Sequence, residues 1–167
     1  MSRKIGALLL PALMIAGCVS GPSSSLEGAS TADRTVYVTR HMHKGDGPDP
    51  ALSATGVAAA DRLAELLHDK GIAAIFATPT RRAMETAAPL ARRTGVRVRS
   101  YDAGDPAALV AAAAAVPGAV LVVGHSNTVA DLVTRFGART PPAPLGENDY
   151  GRVFVVKPTG EIEVIDL

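Results

Sequence analysis

Short apolar runs alternate with helical patterns from residue 35 to residue 165, and this alternation restricts the fold more than any other feature of the sequence. The apolar runs predict strands, and the segments between them predict amphipathic helices. Continuous apolar strands separated by helices are typical of a mainly parallel sheet with helices on both faces. We therefore expect an α/β fold, built as a three-layer α/β/α sandwich.

The predicted strands occupy 35–39, 73–77, 96–99, 119–123, 152–156 and 161–165, and the predicted helices occupy 53–70, 80–94, 105–116 and 128–136. The first helix has the clearest limits, because Ser53 suits an N-cap and Gly71 suits a stop. The last two strands are joined by Lys-Pro-Thr-Gly, which is typical of a hairpin turn.

The first residues resemble a secretory signal. Arg3 and Lys4 precede an apolar stretch at 5–15, which is too short for a bilayer span of about 20 residues. Small residues then lead to Cys18 in Ile-Ala-Gly-Cys, which resembles the lipobox of bacterial lipoproteins. That resemblance implies cleavage before Cys18, lipid attachment to it, and an extracytoplasmic protein anchored to a bacterial membrane. An ordinary signal peptide and an uncleaved anchor are the alternatives.

These features divide the chain into a signal peptide at 1–17, a flexible tether at 18–34 and a folded domain at 35–167. The tether is rich in Ser, Gly and Ala and has no periodic apolar pattern. Cys18 is the only cysteine, so the folded domain has no thiol nucleophile or thiolate metal ligand. With 17 basic and 16 acidic residues, the chain lacks the overall positive charge of a nucleic-acid binder, and any anion must bind locally.

Basic side chains stand at three predicted strand ends, where folds of this class place their sites. Arg40 and His41 follow the first strand, His125 follows the fourth, and Arg82 lies in the helix after the second. A neutral imidazole is a competent nucleophile toward phosphorus, and arginine binds phosphate oxygens through paired hydrogen bonds. Such a set is suited to phosphoryl transfer without a metal ion or another cofactor.

Four segments resemble the histidine phosphatase superfamily, whose fold is like that of phosphoglycerate mutase. They are Val-Tyr-Val-Thr-Arg-His-Met-His-Lys, Leu-Ser-x-x-Gly, Arg-Ala-x-x-Thr-Ala and Val-Leu-Val-Val-Gly-His, in the family's order. The resemblance implies that His41 is the phosphorylated nucleophile, that Arg40 and Arg82 bind the phosphoryl group, and that His125 both binds it and assists catalysis. It further implies a short phosphatase, without a cofactor, acting on a phosphate ester or phosphoramidate of a small molecule or phosphoprotein.

The proton donor for the leaving group departs from the family pattern. Ser126 stands where one branch of the family has an aspartate directly after the second histidine. We favour Asp102 over Asp105, because it lies closer to the end of the third predicted strand. Glu147 and Asp149 in the last loop are alternatives, and some short relatives that cleave phosphoramidates lack the usual acid altogether.

Met42 and His43 also depart from the pattern, because relatives have small or acidic residues there. Histidines at 41 and 43 permit a second hypothesis, a metallohydrolase in which His125 or Asp46 completes the ligand set. That hypothesis gives the arginines no role, so we expect no metal and place His43 at the pocket rim. A third hypothesis is a phosphate-binding surface lipoprotein with the same fold and no catalytic activity.

Overall fold

The computed structural model describes residues 34–167. The predicted signal peptide, Cys18 and all of the predicted tether except Arg34 lie outside the described residues. The strands are β1 Val36–Arg40, β2 Ile72–Ala77, β3 Val98–Ser100, β4 Ala119–Gly124, β5 Arg152–Val156 and β6 Ile162–Asp166. The helices are α1 Ala54–Leu67, α2 Arg81–Thr94, α3 Pro106–Ala114 and α4 Val129–Arg135.

The strands form a single six-stranded sheet in the order β3-β2-β4-β1-β5-β6. The first four in this order run parallel, and β5 and β6 continue the sheet antiparallel to β1 and to each other. The prediction of a mainly parallel sheet in an α/β fold is therefore confirmed. β1 and β4 are neighbours, so the residues that follow them emerge side by side at one edge of the sheet.

Alternate residues along each central strand enter two separate cores. Val36 and Val38 pack with Leu109, Val129 and the rest of the α3 and α4 side. Tyr37, between them on β1, faces the opposite core with the buried residues of α1 and α2. This period of two is the pattern expected of a strand that is buried on both faces. The helices accordingly form the two outer layers that the sequence predicts.

The helix and strand limits agree with the predicted ones to within three residues. Ser53 caps α1 as expected, since its hydroxyl accepts a hydrogen bond from the Gly56 N–H at 3.2 Å. The helix ends at Leu67 rather than at residue 70, and Gly71, which was predicted as its stop, has a positive φ of 66°. The chain therefore turns at Gly71 directly before β2 begins at Ile72.

Arg34 is packed against the end of α3, although it was assigned to the tether. Its guanidinium donates to the carbonyls of Ala113, Val116 and Ala114, the last at 2.7 Å. These carbonyls lie at the helix C-terminus, where backbone acceptors lack partners within the helix and a cation is favoured. Within residues 34–167, none of the helices has the length and apolar character needed to cross a membrane.

Candidate active site

His41 is the first residue after β1, and its backbone and ring are both held in place. Its N–H donates to the Gly124 carbonyl at 2.9 Å, which continues the ladder between β1 and β4. Its ring nitrogen Nδ1 lies 2.8 Å from the Met42 carbonyl oxygen. Because a carbonyl only accepts, Nδ1 carries the hydrogen and the lone pair of the neutral ring is on Nε2. This is the tautomer that a nucleophile attacking through Nε2 requires.

His41 is neutral at physiological pH. Burial is the main cause that lowers its pKa, to about 4, and the nearby Arg82, His125 and Arg40 lower it further, while the bond to Met42 acts in the opposite direction. At physiological pH the ring is therefore unprotonated, whereas an ordinary histidine, with a pKa of about 6.5, would be partly charged. Its nucleophilic form is available without a neighbouring base.

Arg82 and His125 lie beside His41, although both are distant from it in sequence. The His41 and His125 rings meet edge to face with centroids 5.3 Å apart. His125 Nδ1 lies 3.5 Å from Arg82 Nη2, and its Nε2 lies 2.8 Å from the Thr78 hydroxyl. A guanidinium nitrogen only donates, so Nδ1 is the acceptor and Nε2 carries the hydrogen toward Thr78. Burial, followed by the charges of Arg82 and Arg40, lowers the His125 pKa.

Arg40 is also buried, with 6% of its surface exposed, and is held by the last loop of the domain. Its Nη1 donates to the carbonyls of Gly146 and Glu147 at 2.9 and 2.8 Å, with the Asp149 carbonyl at 3.4 Å. Its Nη2 donates to the Tyr150 hydroxyl at 3.0 Å. Its Nε is buried and has no hydrogen-bond partner among the residues that the structure describes. Arg40 thus keeps one donor that none of the described residues uses.

The backbone that follows His41 is fixed by the threonine of the Arg-Ala-x-x-Thr-Ala segment. Thr86 accepts a hydrogen bond from the Met42 N–H at 2.9 Å and donates one to the Arg82 carbonyl at 2.8 Å. The Met42 side chain is fully buried in the core beneath α1 and α2. The large residue after the nucleophile therefore fills the core and takes no space from the pocket.

Gly56 of the Leu-Ser-x-x-Gly segment lets α1 approach the loop that follows His41. A Cβ atom at this position would lie 2.0 Å from the His43 carbonyl oxygen, far inside contact distance. The same carbonyl accepts hydrogen bonds from the backbone N–H of Ser53 at 2.9 Å and from its hydroxyl at 3.3 Å. The segment is therefore structural, because it fixes the loop beside the nucleophile through a close backbone contact.

His43, which we placed at the pocket rim, stacks on an aromatic residue that the sequence analysis did not consider. Its ring lies 4.2 Å from the Tyr150 ring, with 29° between the planes. Tyr150 also lies 5.9 Å from the His41 ring and 3.9 Å from the Arg40 guanidinium carbon. No periodic pattern marks this tyrosine, because it lies in a proline-rich loop more than a hundred residues from β1.

Asp102 and Asp105, two of the proposed proton donors, take part in the connection between β3 and α3. Asp102 accepts a hydrogen bond from the Gly104 N–H at 2.8 Å, and Asp105 caps α3 by accepting from the Ala108 N–H at 3.0 Å. Both residues are exposed. β3 is three strand spacings from β1, or about 14 Å. Neither carboxylate is supported as a proton donor by its contacts.

The two acids of the last loop differ, because the Asp149 carboxylate has a structural contact whereas Glu147 makes its contact through the backbone. Asp149 accepts from the Gly146 N–H at 2.8 Å, and Glu147 contacts Arg40 through its backbone carbonyl. Asp49, which the sequence analysis missed, has a carboxylate close to Arg82. It accepts from the Arg81 N–H at 3.0 Å and lies 3.7 Å from Arg82 Nη1.

The metallohydrolase hypothesis requires three or more ligands in one place. Among residues 34–167, the structure brings no group of three or more histidine or acidic side chains into an arrangement that would hold a metal ion. His41 and His43 are directed to different partners, the Met42 carbonyl and the Tyr150 ring. His41 instead groups with Arg82 and His125.

Part of the chain is similar to a family of known proteins. Residues 35–103 match the family model of the histidine phosphatase superfamily, branch 1. A segment of 73 residues is 42% identical to the uncharacterized protein Rv0525 of Mycobacterium tuberculosis, covering 39% of this chain. The match spans 36% of the length of that relative.

Solved structures resemble the described domain over nearly their whole length. SixA from Agrobacterium tumefaciens superposes with a TM-score of 0.59 at 22% identity, covering 79% of this chain and 95% of that one. The protein histidine phosphatase SixA complexed with tungstate gives the same TM-score at 20% identity, covering 78% and 94%. Mycobacterial glucosyl-3-phosphoglycerate phosphatase gives 0.59 at 17% identity, covering 80% and 97%. The domain therefore has the phosphoglycerate mutase-like fold, and its residues 35–103 carry the sequence pattern of the histidine phosphatase superfamily.

Proposed function

We propose that this protein is a phosphatase that transfers a phosphoryl group from its substrate to Nε2 of His41 and then hydrolyses the phosphohistidine. The observation that supports it most directly is the bond between His41 Nδ1 and the Met42 carbonyl at 2.8 Å. That bond leaves the Nε2 lone pair free beside Arg82 and His125. The substrate is a phosphate ester or phosphoramidate of a small molecule or of a protein.

The surrounding charges suit the transferred group. The phosphoryl group carries negative charge on its equatorial oxygens, and the guanidinium groups of Arg40 and Arg82 lie near His41 with His125 beside them. As Nε2 forms a bond to phosphorus, the leaving group departs with the electron pair of the bond that breaks. The His41 ring then gains positive charge, which the Met42 carbonyl stabilises through the Nδ1–H. Water attacks the phosphohistidine in the second step, so orthophosphate leaves and His41 regains its lone pair.

The proton needed by the leaving group favours particular substrates. The contacts of Asp102, Asp105 and Asp149 are local, and Asp49 is paired with Arg82 and the N-terminus of α2. These contacts give each of the four carboxylates a structural partner within the protein. Leaving groups that need no proton from the enzyme are therefore favoured over alkoxides; examples are a phenolate and the imidazole of a phosphoimidazole whose second ring nitrogen is already protonated.

A panel of three substrates tests the proposal. The purified protein is given a phosphoimidazole, an aryl phosphate and an alkyl phosphate of similar size, and released orthophosphate is measured. We expect turnover to fall in that order and to be lost in His41→Ala, with His68→Ala as the matched control on the exposed face of α1. Absence of turnover on all three, together with binding of orthophosphate, would instead favour the phosphate-binding lipoprotein.

The proposal includes a lipid anchor at Cys18 that holds the domain outside the cytoplasm on a bacterial membrane. It is supported by the sequence Ile-Ala-Gly-Cys after a basic and apolar start. Mass spectrometry of the protein from bacterial membranes tests it. We expect a chain that begins at a lipid-modified Cys18, and a Cys18→Ser variant that carries no lipid. A wild-type protein with an intact N-terminus or an unmodified Cys18 would contradict it.

A further inference from the structure

Tyr150 lies between two side chains of the segment that carries the nucleophile. The Arg40 guanidinium carbon lies 3.9 Å above the centre of its ring, and the His43 ring stacks 4.2 Å from the same centre. Two groups this close to the axis of a ring lie on opposite faces, because they would overlap on the same one. Arg40, Tyr150 and His43 therefore form a three-layer stack, with Tyr150 as the central layer.

The hydroxyl of Tyr150 adds a second contact with Arg40. It accepts a hydrogen bond from Nη2 at 3.0 Å, while Nη1 is occupied by the carbonyls of Gly146 and Glu147. The guanidinium has five N–H donors, and these contacts use the donors of Nη1 and one of the two on Nη2. The Nε–H, which is buried and has no partner among the described residues, remains with the second hydrogen of Nη2. These two donors suffice for a forked contact with phosphoryl oxygens.

We propose that Tyr150 is a positioning residue for Arg40, and that with His43 it fixes the guanidinium edge that meets the phosphoryl group. This inference rests on the proposed function only in naming the ligand a phosphoryl group. The stack explains the His-x-His sequence without a metal, because His43 closes the second face of Tyr150 while His41 performs the chemistry. It also assigns a role to the loop 146–150, whose carbonyls hold the other end of Arg40.

The flat face and the hydroxyl of Tyr150 make separable contributions. Phenylalanine at this position keeps the stack and removes one hydrogen bond, whereas leucine removes both. At position 43, phenylalanine preserves the stacked face and alanine removes it. If the stack orients Arg40, Tyr150→Phe and His43→Phe will retain most of the affinity for phosphate that Tyr150→Leu and His43→Ala lose.

Binding of inorganic phosphate, measured by calorimetry without turnover, tests the inference. We expect Tyr150→Leu to raise the dissociation constant about tenfold, equivalent to about 1.4 kcal/mol, and His43→Ala to raise it about threefold. Tyr150→Phe and His43→Phe should stay within about twofold to threefold of the wild type. Tyr37→Phe and His68→Ala are the matched controls, since Tyr37 faces the α1 and α2 core and His68 is exposed.

Each outcome bears on the inference. Unchanged phosphate affinity in a folded Tyr150→Leu variant overturns it. If that variant does not fold, equal affinities of His43→Ala, His43→Phe and the wild type overturn it. A wild type that binds no phosphate overturns both this inference and the proposed function. A wild type that binds phosphate but hydrolyses no substrate removes the proposed function alone, and weaker binding by Tyr150→Leu would still support the inference.

In an active enzyme, we expect Tyr150→Leu to raise KM more than it lowers kcat.

Discussion

The two arginines beside His41 are held in different ways. Arg40 is 6% exposed and is fixed by backbone carbonyls, the Tyr150 hydroxyl and the face of its ring. The Arg82 side chain is 20% exposed, and its contacts are His125 Nδ1 at 3.5 Å and Asp49 at 3.7 Å. The first arginine is part of the fold, whereas the second is held by weaker polar contacts at the pocket surface.

In the proposed phosphate site, this difference indicates that the two arginines have separate roles. A buried and fully supported guanidinium presents its donors in a fixed position, so little reorganisation accompanies the reaction. A more exposed arginine retains freedom to follow the phosphoryl oxygens as the group moves from substrate to His41. We therefore expect substitutions at Arg40 to affect folding and activity together, and substitutions at Arg82 to affect activity alone.

The largest effect is expected for Arg40→Lys. A lysine retains the charge but provides no planar fork, so the carbonyls of Gly146 and Glu147 lose their shared donor and the Tyr150 hydroxyl loses its own. We expect kcat/KM to fall about a thousandfold and the free energy of unfolding to fall by about 2–4 kcal/mol. Urea unfolding and steady-state kinetics measure the two quantities. A variant with unchanged stability would show that the loop does not depend on Arg40.

Arg82→Lys is expected to separate activity from stability. We expect kcat/KM to fall about a hundredfold, because the forked contact with the phosphoryl group is lost. Its free energy of unfolding should stay within about 1 kcal/mol of the wild type, because exposed ion pairs contribute little. The same two assays apply. A loss of stability as large as that of Arg40→Lys would remove the proposed difference between the arginines.

Thr86→Val tests the support that α2 gives to the nucleophile. The substitution keeps the shape and removes the acceptor for the Met42 N–H, which lies directly after His41. We expect about a tenfold fall in kcat and a loss of about 1–2 kcal/mol in the free energy of unfolding. Thr134→Val is the matched control, because its hydroxyl bonds only to the Ala130 carbonyl on the exposed face of α4. Equal kinetics for the two variants would contradict a role for Thr86 in positioning His41.

Asp49→Asn should change KM only slightly, through the contact of Asp49 with Arg82. The pair with Arg82 is long and Asp49 is 59% exposed, so we expect only about a threefold change in KM. Asp61→Asn, on the exposed side of α1, is the control. If kcat instead falls a hundredfold or more with the alkyl phosphate but not with the other two substrates, Asp49 is identified as the missing proton donor.

The lowered pKa values of His41 and His125 predict that the free energy of unfolding depends on pH. The His41 pKa is about 4 in the folded protein and about 6.5 in the unfolded chain, and the His125 pKa is also lowered. At pH values between about 4 and about 6.5 the unfolded chain binds more protons than the folded protein. The free energy of unfolding therefore rises with pH across this window, and it is lost as pH falls from about 6.5 toward 4. We expect His41→Gln to reduce that loss, by about 1–3 kcal/mol, in urea unfolding at pH 5 compared with pH 7. An identical pH dependence in His41→Gln and wild type would contradict a buried neutral His41.

Most of the fold could be predicted because its signals are local. The continuous apolar runs of β1 and β4 and the helical spacing of α1 are visible within about ten residues. The convergence of His41, Arg82 and His125 follows from topology, because parallel strands direct their carboxyl ends to one edge of the sheet. These residues could therefore be grouped from the sequence.

The supporting contacts could not be predicted in the same way. Tyr150 and Asp49 contact the site from loops, and no periodicity relates a loop side chain to a strand far from it in sequence. Asp105 is different, because Asp-Pro at the start of a predicted helix is a cap signature that already indicated a structural use. Giving that signal more weight would have removed Asp105 from the candidate acids.

The most direct test of the account is the position of phosphorus on the trapped enzyme. The protein is mixed with phosphoimidazole, denatured in alkali, in which phosphohistidine survives, and analysed by mass spectrometry and ³¹P NMR. Because the Met42 carbonyl occupies the Nδ1 side of the ring, we predict one phosphoryl group per chain on Nε2 of His41. Phosphorus on Nδ1 or on another residue, or turnover that proceeds without any phosphorylated enzyme, would contradict the account.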